Sequence, residues 1–163
     1  MSQTNYTINI NAGQPGQLYD LGANDTVSAV DKVEVVPFGV ALVQGPTDGT
    51  CRLPAALTDL TKVLGVSVLV QTKEQSLITS IVNYPVGSDI ALLRKGRVWV
   101  RVEEAVTAMS PVFVRALPGV GGTQAGAFRM SADTATAAQI NGCVFRTSAA
   151  AGALAVVEFN LPA

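Results

Sequence analysis

From Arg97 to Glu103 the chain alternates without a break. An extended strand puts Val98, Val100 and Val102 on one face and Arg97, Trp99, Arg101 and Glu103 on the other. Asp89–Arg94 reads as a strand before it, with Lys95-Gly96 as the turn between them, because glycine takes positive φ at little cost. Ser110-Pro111 restarts the chain into Val112-Phe113-Val114-Arg115, which alternates again. The pattern predicts three short strands in a meander at the centre of an all-β domain.

The flanking sequence extends the same reading. Lys32–Val36 and Phe38–Val43 predict strands, and Pro37 between them predicts an edge, a bulge or a change of sheet, since proline donates no ladder hydrogen bond. Residues 44–50 form a turn, across which Cys51-Arg52-Leu53 pairs back. Pro54–Thr61 is the one helical candidate, of one or two turns. Lys62–Val70 is rich in β-branched residues and predicts a long strand, with Gly65 at a bulge or a close approach. Glu74–Val82 is ambiguous and reads as a loop feeding a short strand. Leu117–Gly126 is rich in glycine but lacks the spacing and the strand-to-helix context of a phosphate cradle, and reads as a mobile surface loop. Ala127–Ser131, Ile140–Ser148 and Leu154–Leu161 complete a set of roughly nine or ten strands, as in a β-barrel or β-sandwich with little helix.

Residues 1–30 read as an extended N-terminal arm, and 31–163 as the β-domain. Tyr6, Ile8 and Ile10 fall on one side of a weakly alternating stretch, which Gly13, Pro15 and Gly16 then break. Such a segment pairs with another chain or serves as an edge strand of its own domain. Residues 2–25 are the part expected to reach onto a neighbouring subunit.

Composition narrows the function. Charged residues make up 14% of the chain, against about 25% in ordinary soluble domains. Small and uncharged polar residues must therefore cover much of the surface, which suits a protein packed against other subunits. The net charge of −1 supplies no field to draw in nucleic acid or an anionic membrane. The chain has no histidine, which removes the usual general base and the commonest metal ligand. No Cys/His cluster or calcium-loop pattern is present. Glu103 and Glu104 are adjacent in an extended stretch and diverge, so they make a poor acid–base pair. Cys143 lies in an apolar strand and reads as a buried thiol. Cys51 follows a turn and is expected to be half exposed, and the spacing leaves a disulfide between the two open. The polar start lacks the pattern of a signal peptide, and no apolar run reaches the ~20 residues of a membrane helix. The expectation is a soluble, non-enzymatic protein with no catalytic residues, metal or cofactor.

Arg94, Lys95, Arg97 and Arg101 surround Trp99. A stripe of this kind stacks nucleic-acid bases in some proteins, but on a near-neutral chain it reads as a protein interface or a local cation–π stack. The candidate interface residues are Tyr6, Ile8, Ile10, Tyr19, Arg97, Trp99 and Arg101.

Several motifs taken together resemble a known family. They are Gly13-Gln14-Pro15-Gly16-Gln17, Phe38–Val43, Lys95–Val100, Ser110–Val114 and Ala151–Glu158. In order and spacing, over nearly the whole chain, they are similar to the structural cement or decoration proteins of tailed-bacteriophage capsids. The resemblance implies a mostly β protein that binds the outside of an icosahedral shell of HK97-like major capsid protein, typically as a trimer, and reinforces it against internal DNA pressure. It implies a homotrimer partnered with the phage major capsid protein, without small-molecule substrate, nucleic acid or membrane. The protein would be made in the host cytoplasm and reside on the outer capsid surface of the virion. The alternative is a ligand-binding β-module, such as a carbohydrate-binding or receptor-attachment domain of a phage tail. That class usually displays an aromatic platform, whereas aromatics are 6% of this chain and Trp99 is its one tryptophan.

Overall fold

The structure is a computed structural model that describes residues 13–20, 22–31, 33–70 and 83–161. Its strands are β1 (Asp25–Val30), β2 (Val36–Pro37), β3 (Ala41–Gln44), β4 (Cys51–Arg52), β5 (Val63–Ser67), β6 (Asn83–Tyr84), β7 (Asp89–Arg101), β8 (Pro111–Arg115), β9 (Phe128–Arg129), β10 (Ala137–Phe145) and β11 (Leu154–Asn160). The all-β expectation holds.

The expected turn at Lys95-Gly96 does not form. β7 runs unbroken for 13 residues, and Gly96 passes through with φ of +129°. The physical reason is that the two halves of β7 have other partners. Asp89–Lys95 pairs with β1, and Lys95–Arg101 pairs in continuous register with β11, from Asn160 opposite Lys95 to Leu154 opposite Arg101. A hairpin would have paired the halves with each other. Gly96 also accommodates the Asn24 side chain, which a Cβ would strike.

The main sheet has the order β4-β3-β5-β7-β11-β10-β8-β9, with β1 joined to β7. It curls into a half-barrel. The curl brings Phe128 of β9 round to bridge Val102, where Glu103 N–H donates to the Phe128 carbonyl at 3.0 Å. Pro37 marks a change of sheet, since β2 pairs with β6 in a separate two-stranded ribbon while β3 joins the main sheet. The helical candidate is a 3₁₀ helix at Leu57–Lys62. Asp59 Oδ2 accepts from the Ala55 and Ala56 amides at 2.9 Å, and Oδ1 from Arg52 at 2.7 Å. Gly65 makes the predicted close approach, since a Cβ there would lie 2.5 Å from the Leu93 carbonyl oxygen. Glu74–Val82 lies outside the described residues.

Two apolar clusters flank β7. The larger fills the curl with Val98, Val100, Val102, Val114, Phe128 and Phe159, and the smaller gathers Val36, Phe38, Leu42, Tyr84, Ile90 and Leu92. The first half of β7 is buried on both faces and reads as an apolar run. The second half is buried on one face and alternates. Cys51 is buried rather than half exposed, and both cysteines are free thiols. Burial pushes each thiol up to about 12, which disfavours the thiolate near neutral pH.

Candidate interface and buried ion cluster

The outward face of β7 carries the row that the alternation predicts. Val98, Val100 and Val102 have no exposed surface, while Trp99 and Arg97 are half-buried and Arg101 is exposed. The segment before β1 is seated on its own chain. Leu18 bridges Val98, Tyr19 N–H donates to the Arg97 carbonyl at 2.9 Å, and Gly16 N–H donates to the Trp99 carbonyl at 2.8 Å. Gly16 also approaches Gly39 so closely that a Cβ on Gly39 would lie 2.6 Å from the Gly16 nitrogen. Tyr19 meets the Trp99 ring edge-on, with centroids 5.6 Å apart, and the ring lies against the Gly13 backbone. Tyr19, Trp99 and Arg97 are thus brought together. Arg101 stands further along the same face, and Tyr6, Ile8 and Ile10 lie outside the described residues.

An ion ladder crosses the strands beside this row. Arg97 contacts Asp20 at 3.5 Å and Glu158 at 2.7 Å, and Arg146 grips both oxygens of Glu158 at 2.8 and 2.9 Å. Hydrogen bonds from Arg146 and then Arg97 hold the Glu158 carboxyl down to about 2. Arg146 Nη1 lies 3.4 Å from Met109 Sδ, and Met109 is exposed with φ of +69°. Arg97 and Arg146 are held in these local ion pairs.

A second constellation lies at the end of β7, and residue-pattern reasoning missed it. Arg115 is fully buried and Arg129 nearly so. Arg115 Nε donates to both Glu103 oxygens at 2.7 and 2.9 Å, Nη2 donates to Asp133 Oδ2 at 2.7 Å, and Nη1 donates to the Leu117 carbonyl at 3.1 Å. Arg129 reaches Glu103, Glu104 and Asp133 at 3.2–3.3 Å. Desolvation acts to lower the Arg115 pKa, but the hydrogen bonds and charges of Asp133 and Glu103 outweigh it and leave the group raised. The Arg115 guanidinium holds Asp133 below the usual carboxylate range.

Asp133 reaches the arginines from a strained turn. Asp133, Thr134 and Ala135 all take left-handed φ, of +43°, +53° and +65°, a conformation that costs roughly 1–2 kcal/mol per non-glycine residue. Such a turn persists only where its surroundings hold it. Glu103 and Glu104 accordingly have structural partners. Glu104 Oε1 accepts from the Met130 and Ser131 amides at 2.9 Å, and both Glu103 oxygens accept from Arg115.

Among the described residues no group of three His, Cys, Asp or Glu side chains is placed to hold a metal, and no helix is long and apolar enough to cross a membrane. No curated protein matches the chain. Among solved structures it is similar to a chain from the capsid of Myoviridae phage XM1, with a TM-score of 0.71, 16% identity and 91% of each chain covered. That likeness is one of fold. The model of the structural cement protein family (E217 gp24/Pam3 gp6) matches residues 2–160. With nearly the whole sequence matched and the half-barrel shared with a capsid chain, this chain belongs to the structural cement protein family.

Proposed function

We propose that this cement protein binds the outer surface of its phage capsid as a homotrimer, with the major capsid protein as its partner. The coarser role follows from membership of the family: it is a phage structural protein that stabilises the capsid. The observation that carries the reading is the family match over residues 2–160. Tyr19, Arg97, Trp99 and Arg101 are our candidates for the contact, supported by their place on one outward face and by the enrichment of Tyr, Trp and Arg in interface hot spots. Residues 1–30 are our arm, and 31–163 our β-domain. Residues 13–20 and β1 root the arm on β7, and Tyr6, Ile8 and Ile10 are our candidates for reaching a neighbour. We assign the chain no catalytic residue, metal or cofactor.

The test is cosedimentation with closed, emptied shells of the same phage, which admit no protein to the interior. Saturable binding to closed shells supports the outer placement, and protein recovered only with shells opened during assembly overturns it. Light scattering across a dilution series tests the trimer. A mass three times that of the chain, constant on dilution, is the expected result.

A further inference from the structure

Of the seven asparagines in the chain, Asn141 alone is followed by glycine. The fold sets this pair on a swelling of β10. From Gln139 opposite Phe113 to Val144 opposite Pro111, β10 advances five residues while β8 advances two. The pairing of β10 with β11 begins only at Cys143, opposite Phe159. Neither neighbouring strand is in register with Asn141 or Gly142, and both residues are exposed. Gly142 takes φ of +80°, and a Cβ there would lie 2.5 Å from the Asn160 carbonyl oxygen, so the position is kept for glycine. Among the described residues none hydrogen-bonds the Asn141 side chain. Asn24 and Asn83 differ. Each has its side-chain oxygen buried, and Asn24 Nδ2 also donates to the Asp20 carbonyl at 3.2 Å.

We propose that Asn141-Gly142 is a site of spontaneous modification, at which Asn141 becomes aspartate or isoaspartate through a cyclic imide with water as the co-reactant. The Gly142 amide nitrogen gives its proton to solvent base and attacks Asn141 Cγ. The new C–N bond closes a five-membered ring. The Cγ–Nδ2 bond breaks, and Nδ2 takes a proton back from solvent and leaves as ammonia. Water then opens one of the two imide carbonyls, leaving a carboxyl on Cγ in aspartate or on the main-chain carbon in isoaspartate. Nothing is oxidised or reduced. Three observations on the page favour this pair. Gly142 has no Cβ to shield its nitrogen from the approach. The bulge frees the backbone from the two ladders that would hold it extended, so it can bend into the ring. The same bulge can take up the extra main-chain carbon of isoaspartate. Each event exchanges a neutral amide for a carboxylate and moves the net charge from −1 to −2. The site needs no partner and stands apart from the shell reading.

The test incubates the folded full-length protein beside the same protein unfolded in urea, both in mildly alkaline buffer. Ammonia release and the mass and retention of the peptide containing Asn141 are followed in time. The folded protein should form aspartate and isoaspartate at Asn141, in step with ammonia, at a rate within about tenfold of the unfolded one. Tenfold protection corresponds to about 1.4 kcal/mol for opening the segment, at the low-stability end of a fold. Asn141→Gln, whose ring would have six members, should keep the wild-type urea midpoint and lose the acidic isoform. Protection beyond tenfold overturns the proposal, because β10 would then shield the pair as a fully paired strand does. An acidic isoform that appears equally fast in Asn141→Gln also overturns it, by placing the modification at another residue.

Discussion

Arg115 Nε lies 2.7 Å from Glu103 Oε2 in a site where the arginine side chain has no exposed surface. An ion pair so enclosed gives up hydration on both sides, and only close geometry with further hydrogen bonds offsets that loss. Arg115 has both, since its other nitrogens reach Asp133, Thr136 and the Leu117 carbonyl. The pair joins the end of β7 to β8, and Asp133 extends the joint to the chain before β10.

Removing the cation from this site should be severe. Arg115→Ala leaves Glu103 and Asp133 without their main partner, and we expect a loss of about 3–5 kcal/mol in urea unfolding. Arg115→Lys keeps the charge but not the planar fork that serves two carboxylates at once, so it should fall between. A loss below about 1 kcal/mol for Arg115→Ala would show that water reaches the cluster and replaces the guanidinium.

The strands were more legible than this joint. Alternation from Arg97 to Glu103 found the outward row because the sheet buries one face there. Pro37 announced a change of sheet because its missing N–H is a local fact. The Lys95-Gly96 turn was misread because glycine at positive φ serves a bend within a strand as well as a hairpin, and the deciding partners, β1 and β11, lie far away in sequence. The ion cluster was harder still, with partners separated by 12, 18 and 26 positions. One signal was available. Arg129 interrupts the apolar stretch Ala127-Phe128, and a charge in a buried strand needs a partner.

Acid should weaken the fold through Glu158. Its carboxyl falls from an ordinary 4.5 to about 2 in the folded protein. A depressed carboxylate contributes stability above the unfolded value, and that contribution is lost as pH falls from about 4.5 through about 2. Glu158→Gln should therefore be less stable than wild type at pH 7, with the gap narrowing across that window. Asp133 and Asp59 are also lowered, so the variant keeps some acid sensitivity of its own. Urea midpoints of both proteins from pH 7 to pH 2 check this. A gap that stays constant would remove Glu158 from the account.

Glycines that look alike in sequence should differ sharply. Gly39 has φ of +72° and faces the Gly16 backbone, whereas Gly49 and Gly152, with φ of +73° and +77°, have open space where a Cβ would go. Gly49→Ala and Gly152→Ala should lose about 1 kcal/mol from backbone strain alone. Gly39→Ala adds a clash with backbone that cannot swing aside, and should lose at least about 2 kcal/mol. Equal losses at all three positions would mean that the arm root separates from β3 at little cost.

Trp99, the one tryptophan, reports on the proposed contact directly. In the free protein its ring has Tyr19 at one edge and the Gly13 backbone against it, with part of its surface still in water. Docking of the β7 face should remove that water, so emission should shift to the blue as closed shells are added and saturate with the binding curve. Tyr19→Ala opens one side of the ring, so the free spectrum should move to the red and the shift on binding should grow. An unchanged Trp99 spectrum at full occupancy would place the shell contact on another face.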